Sequence, residues 1–427
     1  MGLRTFDQGS IAAAGVFCRR RLNNRAGRPL ACLAATAPKG GDAAMNFSDR
    51  PGYLERLRNR KMAKSQHAFV RGSASLFYEW LNKHDEGLPQ GPAVWICGDC
   101  HLGNLGALAD LEGGVAIQIR DFDQTVIGNP AHDVVRLGLS LASAIRSSDL
   151  PGVTTAHMLD NLLAGYIKAA PSSGARGSKD LRKLLKRAAH RRWHNLALEG
   201  FEGQQKQLPR NRRFWPLHRR ERSQVRTFCQ ALDISGLTPE TEQHGKNGWE
   251  FMDAAYWIKG CSSLGDLRFA ALMRGKHHRM ALLDVKEATA AAAPPALRVQ
   301  MPGDHAERVR VGARAMSPNL GDRMVCGKVE GKPVFVRAIS PRDMKLEIDR
   351  LTSRQTQTLA RHLGSIVGEA HGRQMDAADW RSWTRELSHA AGANTKTPSW
   401  LWTSVVDLLA IHELAYLDHC RRFALAN

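Results

Sequence analysis

Apolar positions along the chain first become periodic near Tyr53. From Tyr53 to Leu81 they recur at helical spacing, with a break around Ser65 to Gly72. Ala93-Val94-Trp95-Ile96 is an apolar run of strand length, and Val115 to Ile119 is a second. From about His132 to Arg146 the apolar residues Val134, Val135, Leu137, Leu139 and Leu141 recur too often for a helix with a wet face, which predicts a buried helix. Leu181, Leu184, Leu185 and Ala188 keep a helical period inside a basic segment. After the turn-rich run Gly260-Cys261-Ser262-Ser263-Leu264-Gly265, Leu267 to Met273 and Met280 to Val285 read as strands joined across Arg274-Gly275-Lys276-His277. An Ala-rich stretch with Pro294-Pro295 leads into a helix from about Asp304, a good N-cap, to Met316. Arg323 to Val329 and Pro333 to Ile339 flank the turn Glu330-Gly331-Lys332 and predict a hairpin. From about Lys345 onward the pattern is mainly helical, and no internal repeat is visible.

Composition changes this picture at two places. The chain of 427 residues is long enough for two or three domains, and its 43% hydrophobic content is that of a globular protein. No apolar run approaches the roughly 18 residues of a membrane span. The formal charge of +20 is unusual and draws polyanions in general, whether nucleic acid, anionic membrane or a phosphate-bearing ligand. Much of it lies in two stretches. Residues 1–45 carry Arg19, Arg20, Arg21, Arg25 and Arg28 among Ala and Gly, the composition of a disordered basic tail or of a transit peptide. Residues 179–222 carry fourteen Lys and Arg, from Lys179 to Arg222, interleaved with Trp193 and Trp215; such a stretch is a solvated face or a nucleic-acid surface that stacks bases. Eight cysteines in a chain this long do not make a disulfide scaffold, and no secretory signal is evident, so the expectation is a cytoplasmic protein with reduced thiols.

Two short motifs carry chemistry. Cys97-Gly98-Asp99-Cys100-His101-Leu102-Gly103-Asn104 follows a strand. An Asp and an Asn five residues apart on a tight loop can face one point, where the Asp takes a proton from a hydroxyl nucleophile and the Asn oxygen binds a hard cation. Phosphoryl transfer uses that division of labour. Asp121-Phe122-Asp123, followed by Gly128-Asn129-Pro130-Ala131-His132-Asp133, comes at the end of another strand and offers the oxygen ligands that magnesium prefers. Cys97-Gly98-Asp99-Cys100-His101 also spells a c-type haem attachment site, a thioredoxin-like pair or part of a zinc site. A haem site leaves Asn104 and Asp121 to Asp133 without a role, the βαβ context of a redox pair is missing, and no second cluster completes four zinc ligands.

The two motifs together resemble the aminoglycoside phosphotransferase branch of the kinase-like superfamily. Its catalytic loop has Gly-Asp with an Asn five residues after the Asp, here Asp99 and Asn104. Its metal loop has Asp, then Gly, Pro and Asp at set distances, here Asp121, Gly128, Pro130 and Asp133. A closer resemblance, over about residues 50–425, is to the family known as domain of unknown function 2252. It is carried by Lys61 to Ser65, Phe69-Val70-Arg71-Gly72, Gly98 to Asn104, Asp121-Phe122-Asp123, Gly260 to Gly265, Val285-Lys286-Glu287-Ala288, Val336-Arg337 and Asp343-Met344-Lys345.

The kinase resemblance implies more. The loop from Gly260 to Gly265, including Ser263, resembles the loop that covers nucleotide phosphates, and Lys286 the strand lysine that pairs with the α- and β-phosphates. In kinases these precede the catalytic loop; here they follow it, which implies a circular permutation. The helix ending near His371 then stands where the helix before a kinase catalytic loop stands. Glu307 is the one acid inside the helix that would supply a partner to Lys286.

The expected protein is therefore α+β with a permuted, kinase-like two-lobe fold. A basic tail covers residues 1–45. Residues 46–250 form the catalytic and metal-loop part of a large helical lobe with a basic insertion, 251–343 a small nucleotide lobe, and 344–427 the rest of the large lobe. The expected activity is ATP- and magnesium-dependent phosphotransfer to an unknown acceptor, with Asp99 handling the acceptor, Asn104, Asp121 and Asp123 holding magnesium, and Gly260, Ser263, Gly265 and Lys286 holding ATP. The alternative is a nucleotide- or nucleic-acid-binding protein on the same scaffold without catalysis.

Overall fold

A computed structural model describes residues 49–112, 115–146, 153–169, 207–232, 234, 236–237, 248–275, 280–339, 343–345, 352–389 and 398–423. All of them belong to one compact unit, Asn46–Asn427. The basic tail, the helical pattern at 181–188, Trp193 and the turn at 276–279 lie outside the described residues. Among the described residues no helix is long and apolar enough to cross a membrane.

The chain opens with three helices, α1 (Arg50–Met62), α2 (Gln66–Gly72) and α3 (Ala74–His84). The expected break at Ser65 to Gly72 is thus itself largely helical. Ser65 starts α2 by accepting from the Ala68 N–H at 3.1 Å, and the hydroxyl of Ser73, between α2 and α3, donates to the Phe69 carbonyl at 2.8 Å. Next come β1 (Val94–Ile96), β2 (Leu105–Ala109), β3 (Val115–Ile119) and β4 (Val126–Gly128). β1 pairs with β4 and β2 with β3, both antiparallel. The helix α4 (Ala131–Arg146) is buried on almost every side, as its unbroken apolar run predicts, and α5 (Val153–Ile167) packs beside it.

The second half is built on a six-stranded antiparallel sheet. Its strands are β5 (Phe214–Trp215), β6 (Glu250–Trp257), β7 (Arg268–Arg274), β8 (Met280–Glu287), β9 (Met324–Val329) and β10 (Lys332–Ala338), in the order β5-β6-β7-β8-β10-β9. The helix α6 (Arg219–Ala231) lies between β5 and β6 in the chain. The sheet therefore begins at Phe214, inside the basic stretch and ahead of residue 251. Between β8 and β9 run α7 (His305–Met316) and the short α8 (Pro318–Gly321). Asp304 caps α7 as expected, accepting from the Ala306 and Glu307 N–H groups at 2.8 and 3.1 Å. After β11 (Met344–Lys345), which pairs with β2, the chain ends in α9 (Ser353–Gly372), α10 (Ala377–His389) and α11 (Ser399–Phe423).

One apolar core runs through the helices and on to Ala288, Ala306, Val309 and Phe335 of the sheet half. A smaller cluster of Leu208, Phe214, Ala255, Trp257, Ala270, Leu272 and Leu282 lies on the sheet itself. Trp215 is buried, its ring 4.9 Å from that of Tyr53, so it does not offer the exposed stacking face that a nucleic-acid reading of the basic stretch needs.

Candidate active site

The loop after β1 is fixed from below by one carboxylate. Asp133, in the first turn of α4, is wholly buried and accepts from the Cys97 N–H at 2.7 Å, the Gly98 N–H at 3.0 Å and His371 Nε2 at 3.2 Å. The other ring nitrogen of His371 meets the Tyr166 hydroxyl at 2.9 Å, and Trp383 Nε1 donates to that hydroxyl at 3.0 Å. The loop's turn needs glycine. Gly98 has φ +76°, and a Cβ there would fall 2.0 Å from the Gln124 carbonyl oxygen. The Tyr78 hydroxyl donates to the Gly98 carbonyl at 2.5 Å.

So held, Asp99 and Asn104 come together. Asn104 Nδ2 donates to the Asp99 backbone carbonyl at 2.9 Å, which leaves the amide oxygen as the cation-binding atom. Asp99 Oδ1 accepts from Arg136 Nε at 2.9 Å and Nη2 at 2.8 Å, and Oδ2 lies 3.6 Å from His101 Nε2. Burial raises the Asp99 carboxyl above the ordinary carboxylate range, and the Arg136 charge offsets only part of this. Burial, with Arg71 and Arg136 nearby, pushes His101 well below the usual imidazole range, so its ring is neutral.

Asp121 and Asp123 follow β3 and face Lys286 on β8. Lys286 is buried; its ammonium donates to Asp123 Oδ2 and lies 3.5 Å from Asp121 Oδ1. Burial favours the neutral form of both acids. For Asp121 the charges of Lys286, Arg337 and Arg268 overcome it and hold the carboxyl well below its usual range. For Asp123 burial and the neighbouring Asp121 charge prevail and push it up. Asp123 Oδ1 is buried, and no protein donor reaches it among the described residues.

The sheet supplies the opposite wall. Arg268 grips the buried Asp284 with Nε at 2.8 Å and Nη2 at 2.6 Å, and Arg337 and Lys259 approach the same carboxylate at 3.4 and 3.8 Å. The loop from Gly260 to Gly265 spans the β6–β7 connection. Both end glycines hold positive φ, +90° and +117°, and Lys61 of α1 donates to the Gly260 carbonyl at 2.8 Å. A cavity of about 230 Å³ separates the walls and is lined by Asp99, Asn104, Asp121 and Asp123 on one side and by Gly260, Ser263, Arg268 and Arg337 on the other. Gly265 and Lys286 are not among the residues that line it, though Lys286 reaches the two acids that do.

One expectation changes. Glu307 does not meet Lys286: its carboxylate binds Arg310 at 2.6 and 2.9 Å, one turn along α7. Arg308, the next residue, turns inward and donates to the carbonyls of Asp123 and Thr289 at 2.8 Å and to that of Thr125. The acids therefore meet Lys286 directly, without an acid from α7. Arg136, Asp284, Arg268, Arg308 and His371 were not singled out by motif. Arg136 had a signal: a cation inside an otherwise apolar helix must have a buried partner. Cys97 and Cys100 carry free, buried thiols.

The fold and the cleft define an α+β protein whose acidic loops face a cationic face of the sheet across a polar cavity. The chain belongs to the family DUF2252, described as uncharacterized protein conserved in bacteria, whose model matches residues 52–422. No curated protein and no solved structure matches the chain.

Proposed function

We propose that the protein is a magnesium- and ATP-dependent phosphotransferase on a circularly permuted kinase-like scaffold. The observation that carries the reading is the meeting of Asp99, Asn104, Asp121, Asp123 and Lys286 around one cleft although they come from distant parts of the chain. The sheet half adds support. Its loop hairpin, lysine strand, helix and second hairpin follow the order that the kinase resemblance implies.

The donor set fits magnesium. Asn104, Asp121 and Asp123 offer hard oxygens at one side of the cavity, and among the described residues no protein donor reaches the buried Asp123 Oδ1. Magnesium bound there would neutralise phosphate charge. The chain's residues do the rest. Lys286 and the N–H groups of the Gly260 to Gly265 loop hold the phosphates, and Lys286 exchanges its carboxylate partners for them. Asp99, fixed through Oδ1 by Arg136, keeps Oδ2 for the acceptor hydroxyl and takes its proton as the acceptor oxygen bonds to the γ-phosphorus. The bond from that phosphorus to the β,γ-bridging oxygen breaks, and its electron pair leaves with ADP. Positioning and charge neutralisation supply most of the rate.

Two substitutions test this by calorimetry and by transfer of label from ATP marked separately at the α and γ positions. Asp121→Asn weakens magnesium-dependent nucleotide binding. Asp99→Asn binds nucleotide nearly as well as the parent and loses turnover by about two orders of magnitude or more. Movement of the α label in place of the γ label points to adenylyl transfer. If neither substitution alters binding or turnover, the acids are turn residues and the reading falls.

A further inference from the structure

Two cations that line the cleft lie outside the six-stranded sheet and its β6–β7 loop: Arg120, next to Asp121, and Arg71. Lys259, Arg268 and Arg337 gather at Asp284, and Lys286 faces Asp121 and Asp123. Arg71, in the last turn of α2, instead lies on the catalytic loop. Its seat is Gly103, the residue directly before Asn104. A Cβ added to Gly103 would fall 2.7 Å from Arg71 Cζ and Nη2 and 2.8 Å from Nε. Only glycine leaves room for the guanidinium there. Arg71 lines the same cavity as Asp99, Asn104 and Cys261, and its charge is felt at Asp99 and His101 on the loop side and at Cys261 in the glycine loop. It therefore stands between the acid that handles the acceptor and the loop that covers the phosphates.

We infer that Arg71 binds the phosphoryl group in flight, as an arginine finger supplied by the chain itself. This rests on the phosphotransferase reading above. As the acceptor oxygen bonds to the γ-phosphorus and the bond to the bridging oxygen breaks, negative charge spreads over the three equatorial oxygens and the departing ADP oxygen. A planar guanidinium with several N–H donors fits that array better than a point charge does. Lys259, Arg268 and Arg337 line the cavity from the sheet side, where the α- and β-phosphates lie in this reading, and Arg120 lines it beside Asp121. Arg71 approaches from the catalytic loop itself, seated at Gly103.

The test compares binding of MgADP to the full chain with and without aluminium fluoride, which mimics the planar phosphoryl group. In the parent, fluoride tightens ADP by about 10²-fold or more, as expected of a transition-state mimic. Arg71→Ala keeps the MgADP affinity, loses the fluoride gain, and slows γ-phosphoryl transfer by about 10³-fold or more. Gly103→Ala keeps the charge but pushes the guanidinium off its seat, and it loses most of the gain as well. Should Arg71→Ala fail to fold, Gly103→Ala decides alone, because the atoms it meets are the far end of a flexible side chain. An Arg71→Ala protein that keeps the gain, or whose MgADP affinity falls in step with it, overturns the role of Arg71. A parent that binds no MgADP overturns the phosphotransferase reading itself.

Discussion

Removing Arg136 tests how Asp99 is held. Arg136 is fully buried and spends Nε and Nη2 on Asp99 Oδ1 at 2.9 and 2.8 Å, while Nη2 also donates to the Val70 carbonyl at 2.6 Å. Arg136→Met fills most of the volume and leaves Asp99 as an uncompensated buried charge. Breaking such a pair costs about 3–5 kcal/mol when the remaining group stays ionised. Asp99 escapes part of that cost by binding a proton. Its folded pKa already lies above the usual range because burial outweighs Arg136, and the substitution raises it further. A carboxyl raised on folding keeps its full stability below the unfolded value and loses it as pH climbs towards the folded value. The deficit of the variant is therefore smallest in acid and grows with pH, by up to about 1.4 kcal/mol per unit while Asp99 remains protonated in the folded state and ionised in the unfolded state. The other charged groups facing Asp99 are Asp121 and Arg71, and His101 is neutral throughout. Urea unfolding at about pH 5.5 and about pH 8 measures the difference, with up to roughly 3 kcal/mol expected between them. Adding Asp99→Asn to Arg136→Met removes the ionisable group and flattens the pH dependence. A deficit that is the same at both pH values, or that Asp99→Asn leaves unchanged, refutes the reasoning.

Two further outcomes concern the fold around the cleft. Gly98→Ala forces a side chain into left-handed backbone and against the Gln124 carbonyl, so it lowers stability by about 3 kcal/mol, read from the urea midpoint. Trp215→Ala lowers stability by about 3–5 kcal/mol, as a large buried residue should, and leaves the affinity for single-stranded DNA or RNA unchanged across a salt series; a selective loss of nucleic-acid affinity with stability intact would return Trp215 to a stacking role.

Much of the cleft was legible because its residues come in short motifs. Asp99 and Asn104 share one loop, Asp121 and Asp123 another, and glycines announce the loop over the cavity. Their partners were illegible for a common reason: they are far away in sequence. Asp133 binds the Asp99 loop from α4, Arg268 and Asp284 face each other across two strands, and Arg308 comes from a helix whose acid at 307 looked the better candidate. The strand β6 escaped notice because Glu250 to Trp257 places Asp253 and two alanines where alternation should be. Asp253 is buried there because Arg210, Arg222 and the Leu208 N–H satisfy it. Likewise β2 reads Leu-Gly-Ala-Leu-Ala, weak strand formers that hold their place by pairing with β3.

The long reach of the anchors bears on how the protein is made. The loop with Asp99 and the strand before it leave the ribosome early, but two of their clamps come late: His371 to Asp133, and Gln374, which binds both the N–H and the carbonyl of Trp95 at 2.8 and 3.0 Å. The separation between Trp95 and Gln374 is 279 residues. At about 5–20 residues per second, roughly a quarter of a minute to a minute passes between synthesis of the strand and of its clasp. During that interval the backbone groups of Trp95 are without Gln374, and Asp133 is without His371. A nascent chain stalled before α9 should thus be the form most in need of a chaperone, and labelling of Cys97 and Cys100 on arrested chains of increasing length would time the moment at which the cleft closes.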